Sequence, residues 1–137
     1  MKLVSEDILA YCNEHSYKDS ALLTELIEYT NETEDVPQMI SGSHVGNFLQ
    51  SLIKISKAQF ILEIGMFTGY SAMGMAESLS VDGELHTCEL MSEHINTAKI
   101  FFKKSNFADQ IIIHSGKALD SLENLSANSF DLIFIDA

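Results

Sequence analysis

The sequence predicts an α/β fold built on a parallel sheet with the strand order 3-2-1-4. Three observations predict it. Four short β-rich runs, "QFILEIG" (59–65), "ELHTCEL" (84–90), "QIIIHSG" (110–116) and "FDLIFIDA" (130–137), alternate strictly with segments of helical period, which is the signature of βαβ units with right-handed crossovers. The runs are nearly continuous in apolar residues, as strands covered on both faces require. Two of them close on a glycine, Gly65 and Gly116, where the chain has to turn.

The elements follow in order. Ser5 is placed to cap a first helix with Ile8, Leu9 and Cys12 on one face. Asp19 or Ser20 caps a second, in which Leu22, Leu23, Leu26 and Ile27 recur at helical spacing. "TNETEDVPQMISGS" (30–43) reads as a loop, because it is polar, holds the single proline and ends in Ser-Gly-Ser. A third helix is expected to bury Val45, Phe48, Leu49, Leu52 and Ile53. Between the strands lie three more helical patterns. The first carries Ala72, Met73, Ala76 and Leu79, the second Ile95, Ala98, Phe101 and Phe102, the third Leu119, Leu122 and Leu125. The expected organisation is residues 1–43 as N-terminal helices and a substrate or cofactor loop, and 44–137 as the sheet domain. Its last strand is an open apolar edge, which invites pairing, so the chain is expected to be the cofactor-binding part of a longer protein. A natural short form that pairs or has lost catalysis is the alternative.

Composition narrows the function. A net charge of −12 over 137 residues argues against nucleic acid or an anionic membrane as partner, since both need clustered Lys and Arg. No run reaches the ~18 apolar residues of a membrane-spanning helix. The N-terminus is acidic within six residues and lacks a signal-peptide apolar core, which points to the cytoplasm. Cys12 and Cys88 are expected to be buried free thiols. The five histidines are scattered and show no metal-ligand spacing, and Met73 and Met75 are expected in the core.

Ligands of such sheets sit at the carboxyl ends of the strands, so those ends hold the candidates. The first strand ends Glu63-Ile64-Gly65 and turns through Phe67, Thr68, Gly69 and Ser71. With glycines four apart this is neither the dinucleotide fingerprint nor a P-loop. A phosphate cradle avoids an acid, whereas a cationic ligand suits Glu63. S-adenosylmethionine carries a sulfonium and an ammonium and no phosphate; a merely solvated Glu63 is the alternative. Glu89 follows Gly65 by 24 residues, the place of an acid that accepts both ribose hydroxyls, unless it is solvated or caps a helix. Lys117-Ala118 lie where an adenine could stack. Asp136 ends the fourth strand as either a site residue or a solvated acid. A dinucleotide-binding oxidoreductase module is the rival reading, and the missing glycine fingerprint weighs against it.

The chain resembles the cation-dependent O-methyltransferases, the caffeoyl-CoA and catechol group of class I, Rossmann-like methyltransferases. "LEIGMFTGYSAMGMAESL", "TCEL", "SGKAL" and "FDLIFIDA" follow in the family's order and spacing. The resemblance implies a methyl transfer from S-adenosylmethionine to a hydroxyl of a small acceptor, catechol-like or hydroxycinnamoyl, assisted by a divalent cation such as Mg²⁺, in a homodimer. It implies that Glu63, Gly65, Phe67, Thr68 and Ser71 line the methionine end, Glu89 the ribose and Ala118 the adenine. Met39 and Ser41 would stand near cofactor and substrate, and Asp136 would touch the cofactor and ligate the cation. The family's lysine base and later Asp-Asn pair would lie beyond Ala137. His44-Val45 depart from the family's acidic or polar residues.

Overall fold

The computed structural model describes residues 4–137. Its helices are α1 (Glu6–His15), α2 (Ala21–Thr33), α3 (Gly42–Ser56), α4 (Tyr70–Ala76), α5 (Ser92–Phe102) and α6 (Ala118–Leu122). The strands β1 (Phe60–Ile64), β2 (Glu84–Glu89), β3 (Ile111–Ser115) and β4 (Leu132–Ile135) form one sheet in the order β3-β2-β1-β4. Every pairing is parallel, so the predicted fold class and strand order stand.

Register explains which side chains reach the core. Ile61 pairs with Leu85 and Glu63 with Thr87, so these four share one face of the sheet by the two-residue alternation. Leu85 in turn pairs with Ile111. That face carries the main cluster, where Ile61, Leu85 and Ile111 meet Met73 and Ala76 of α4, Ala98 and Phe101 of α5, and Leu23 and Leu26 of α2. Fully burying a Leu, Ile or Phe side chain contributes about 1.5–3 kcal/mol, so this cluster is the main source of stability. All of α4 is buried, and it has no polar face.

Capping and helix spacing behave as expected at the start. Ser5 Oγ accepts from the Ile8 N–H, and Ser20 Oγ accepts from the Leu23 N–H. Three expectations need correcting. The segment 30–43 is mostly ordered: α2 runs on to Thr33, a 3₁₀ turn spans Pro37–Met39, and α3 begins at Gly42. Its polar residues sustain the helix rather than break it. Thr30 Oγ1 donates to Thr68 in the interior and Thr33 Oγ1 bonds back to the Tyr29 carbonyl. In α3 the buried residues are Gly46, Leu49 and Ile53, while Phe48 is 63% exposed. Gly46 faces the Tyr70 ring, and Val45 and Phe48 lie on the exposed side of the helix. Finally, α1 buries none of its residues, and Leu119 of α6 is exposed.

Both cysteines are free thiols, Cys88 buried as expected but Cys12 only partly so, because α1 buries none of its residues. Among the described residues no helix is long and apolar enough to cross a membrane.

Candidate functional site

The carboxyl ends of the strands open into two adjoining hollows of about 490 and 290 Å³. Met39, Gly65, Phe67, Asp136 and Ala137 line both. Ser41, Tyr70 and Ser71 add to the smaller, and Glu89, Met91, His94, Lys117, Ala118 and Leu119 to the larger. Of the residues predicted for the site, Met39, Ser41, Gly65, Phe67, Ser71, Glu89, Ala118 and Asp136 therefore come together around one cleft.

Glu89 ends β2 and is the best-defined polar group in the cleft. Its Oε2 accepts from the Phe67 N–H at 2.8 Å and its Oε1 from the Met91 N–H at 2.8 Å. A carboxylate has about four lone-pair positions, so each oxygen keeps capacity for one more donor. A ligand with two adjacent hydroxyls fits that requirement. Phe67 adopts φ 51, a left-handed conformation uncommon for a residue with a side chain. That conformation goes with the amide bonded to Glu89.

Glu63 and Thr68 are placed differently. The Glu63 carboxyl is fully buried beneath the cleft floor, accepting from Ser71 Oγ at 2.5 Å and Thr87 Oγ1 at 2.6 Å. Its position on the core face, opposite Thr87 in the register, turns it away from the hollows. Burial pushes its pKa up to about 7, the two hydroxyls pull the other way, and the nearby Asp136 and Glu89 charges add to the rise. Thr68 is likewise fully buried and takes the hydrogen bond from Thr30. Both act from below: Glu63 orients Ser71, and Thr68 fixes the loop to α2.

Gly65 was expected to admit a ligand, and the structure shows a further reason for glycine. Its φ is +95, and a Cβ there would lie 2.3 Å from the Asp136 carbonyl oxygen. The end of β4 crosses directly over it, held by the Asp136 N–H bond to the Ile64 carbonyl. Asp136 itself accepts from Ser41 Oγ at 3.0 Å, which joins the N-terminal segment to the sheet edge.

A divalent cation does not fit the residues present. Among the described residues no group of three His, Cys, Asp or Glu side chains is disposed to hold a metal ion. Asp136 supplies one carboxylate, while Mg²⁺ wants several oxygens in octahedral array.

Sequence reasoning missed His94. It lies in the larger hollow, edge-on to the Phe67 ring at 4.6 Å, with its two nitrogens each 3.5 Å from a carboxylate, Glu89 and Glu34. The available signal was its position in the first turn of the helix that follows the strand-end acid. His86 and His114, also read as scattered, stack across β2 and β3 with ring nitrogens 2.9 Å apart.

Residues 13–137 match the family described as O-methyltransferase. The catechol O-methyltransferase of Niastella koreensis is 36% identical over 126 residues, covering 88% of this chain and 55% of that protein. The caffeoyl-CoA O-methyltransferase 1 of Eucalyptus globulus is 35% identical over 103 residues, covering 72% and 42%. Among solved structures, the Bacillus cereus O-methyltransferase in complex with SAH superposes with TM-score 0.86 at 33% identity, covering 96% of this chain and 60% of that one. TomG from Streptomyces achromogenes, solved with SAM, gives TM-score 0.87 at 29% identity, with the same coverage. The chain thus spans about half the length of the curated relatives it matches.

Proposed function

Because the chain belongs to the O-methyltransferase family, we propose that its cleft binds S-adenosylmethionine and serves methyl transfer to a hydroxyl of a small acceptor. Catechol-like and hydroxycinnamoyl acceptors are the classes that the relatives' names suggest. The observation that carries the reading is Glu89: a strand-end carboxylate lining the larger hollow, fixed by two backbone amides, one on each oxygen. That is a receptor for the ribose diol.

The remaining assignments follow from where the residues lie. Ala118, Leu119 and Met91 give the larger hollow the apolar walls an adenine needs. Ser41, Ser71 and Asp136 border the smaller one, where the amino-acid end would sit. When bound, the cofactor supplies an electrophilic sulfonium methyl group. The protein's share is positioning: the diol fixed by Glu89 and Met39 over the mouth hold the reacting carbon in one place, and such alignment lowers barriers without covalent help. No step is routed through a cation, because the residues present do not complete its site. Homodimerisation belongs to the same proposal and rests on the family resemblance; a cytoplasmic location belongs to it too and rests on the acidic character of the first residues.

Titration calorimetry on the folded 137-residue chain tests the cofactor reading. The expected result is one-to-one, micromolar binding of S-adenosylhomocysteine and none of NADH. Folded protein that binds NADH and ignores S-adenosylhomocysteine would overturn it.

A further inference from the structure

We infer that His94 is a positioning residue of this cleft, one that steadies Glu89 and fastens the segment 34–41 across the mouth. The inference rests on the cofactor reading above and adds to it a role for a side chain outside the matched motifs.

The segment from Glu34 to Ser41 carries Met39, which lines both hollows. Its internal bonds are short-range, from Met39 N–H to the Val36 carbonyl and from Ile40 N–H to the Pro37 carbonyl. They shape the 3₁₀ turn without locating it. Ile40 packs against the core, the Glu34 N–H bonds back to the Thr30 carbonyl of α2, and side-chain contacts meet the segment at its two ends. At one end Ser41 Oγ reaches Asp136. At the other, Glu34 Oε2 stands 3.5 Å from His94 Nε2.

The opposite edge of the same ring meets the ribose carboxylate, with Nδ1 3.5 Å from Glu89 Oε1. Phe67 packs edge-on against the imidazole and is itself the donor to Glu89 Oε2. The groups facing His94 are thus Glu34 at the end of α2, Glu89 at the end of β2 and Phe67 from the β1–α4 turn, with Glu93 beside it on α5. Each 3.5 Å contact is too long for a strong hydrogen bond. Their importance is that one rigid, mostly buried ring spans two carboxylates from separate elements. The ring thereby ties the placement of the segment 34–41 to the orientation of Glu89.

The test is calorimetry with S-adenosylhomocysteine and its 2′-deoxy analogue on wild type, His94→Ala, His94→Gln, Glu34→Gln and the His94→Ala/Glu34→Gln double variant. Circular dichroism checks that each is folded. His94→Ala should weaken S-adenosylhomocysteine binding about five- to tenfold and Glu34→Gln about twofold, as two weak, long polar contacts allow. His94→Gln should recover part of the loss. The double variant should be no worse than His94→Ala, because the two residues act through one contact. The His94→Ala loss should shrink against the 2′-deoxy ligand, which a merely structural role would not produce. Wild-type affinity in folded His94→Ala, or equal losses for both ligands, overturns the inference. If His94→Ala does not fold, wild-type affinity in both His94→Gln and Glu34→Gln overturns it. A folded wild type that binds no S-adenosylhomocysteine sinks the cofactor reading and this inference together, whereas binding with indifferent variants sinks only this one.

Discussion

Replacing Glu63 by Gln should change how stability depends on pH, in a direction the structure fixes. The carboxyl lies fully buried among Ser71, Thr87 and the floor of the cleft, and its pKa is raised from 4.5 to about 7, chiefly by desolvation. A raised folded-state pKa means that the folded protein holds this proton more tightly than the unfolded chain. The resulting stability is complete below pH ~4.5 and is lost as pH rises through ~7. At about 1.36 kcal/mol per pKa unit, the ceiling on that loss is about 3 kcal/mol. Glu63→Gln removes the ionisation and keeps the shape, and both hydroxyls can rotate to meet an amide. Relative to wild type, the variant should therefore be near neutral at pH 5 and more stable by up to about 3 kcal/mol at pH 8. His114 runs the opposite way over part of this range, because desolvation and His86 lower its pKa; its share cancels in the comparison. The chain contains no Trp, so urea unfolding followed by far-ultraviolet circular dichroism at pH 5, 6, 7 and 8 is the suitable assay. A difference between variant and wild type that is the same at pH 5 and pH 8 would refute the reasoning.

Gly65→Ala should be severely destabilising, by about 3 kcal/mol or more, since it combines a left-handed backbone with a Cβ driven 2.3 Å from the Asp136 carbonyl oxygen; thermal melting reads this, and a loss under 1 kcal/mol contradicts it. Thr30→Val keeps the side-chain shape but removes the hydroxyl that donates to Thr68 in the interior. It should cost about 1–3 kcal/mol by urea unfolding, and an unchanged midpoint would show that Thr68 finds another partner. Glu89→Gln must turn its amide toward one of the two N–H donors at Phe67 and Met91. S-adenosylhomocysteine affinity should fall about tenfold or more, and calorimetry showing wild-type affinity would remove Glu89 from the proposed ribose site.

Sheet order and the place of Glu89 were legible because both follow from local pattern. Alternating strand and helix periods allow few topologies, and an acid about one βα unit beyond a glycine turn lands at the neighbouring strand's end. What escaped were facts fixed by contacts between distant residues. Glu63 stands at a strand end like Glu89, yet its direction depends on the register with Thr87. The crowding of Gly65 comes from Asp136, far along the chain. The buried face of α3 carries Gly46, Leu49 and Ile53 against elements distant in sequence, and the more hydrophobic Phe48 lies outside it. His94 looked isolated because Glu34 and Glu89 approach it from separate elements.

The two strand-end acids show why residue type and spacing could not assign their roles. Glu63 is met by two hydroxyls, and a hydroxyl can donate or accept. Its pocket therefore accommodates a carboxylate or a carboxylic acid, and the apolar surroundings tip the balance toward the proton. Glu89 is met by two backbone amides, which can only donate. They hold both oxygens in place as acceptors at the wall of the cleft. An acid that can change its proton without moving suits a buried support beneath Ser71. An acid whose two oxygens are fixed by the backbone suits the recognition of a diol, and the difference lies in the partners rather than in the glutamates.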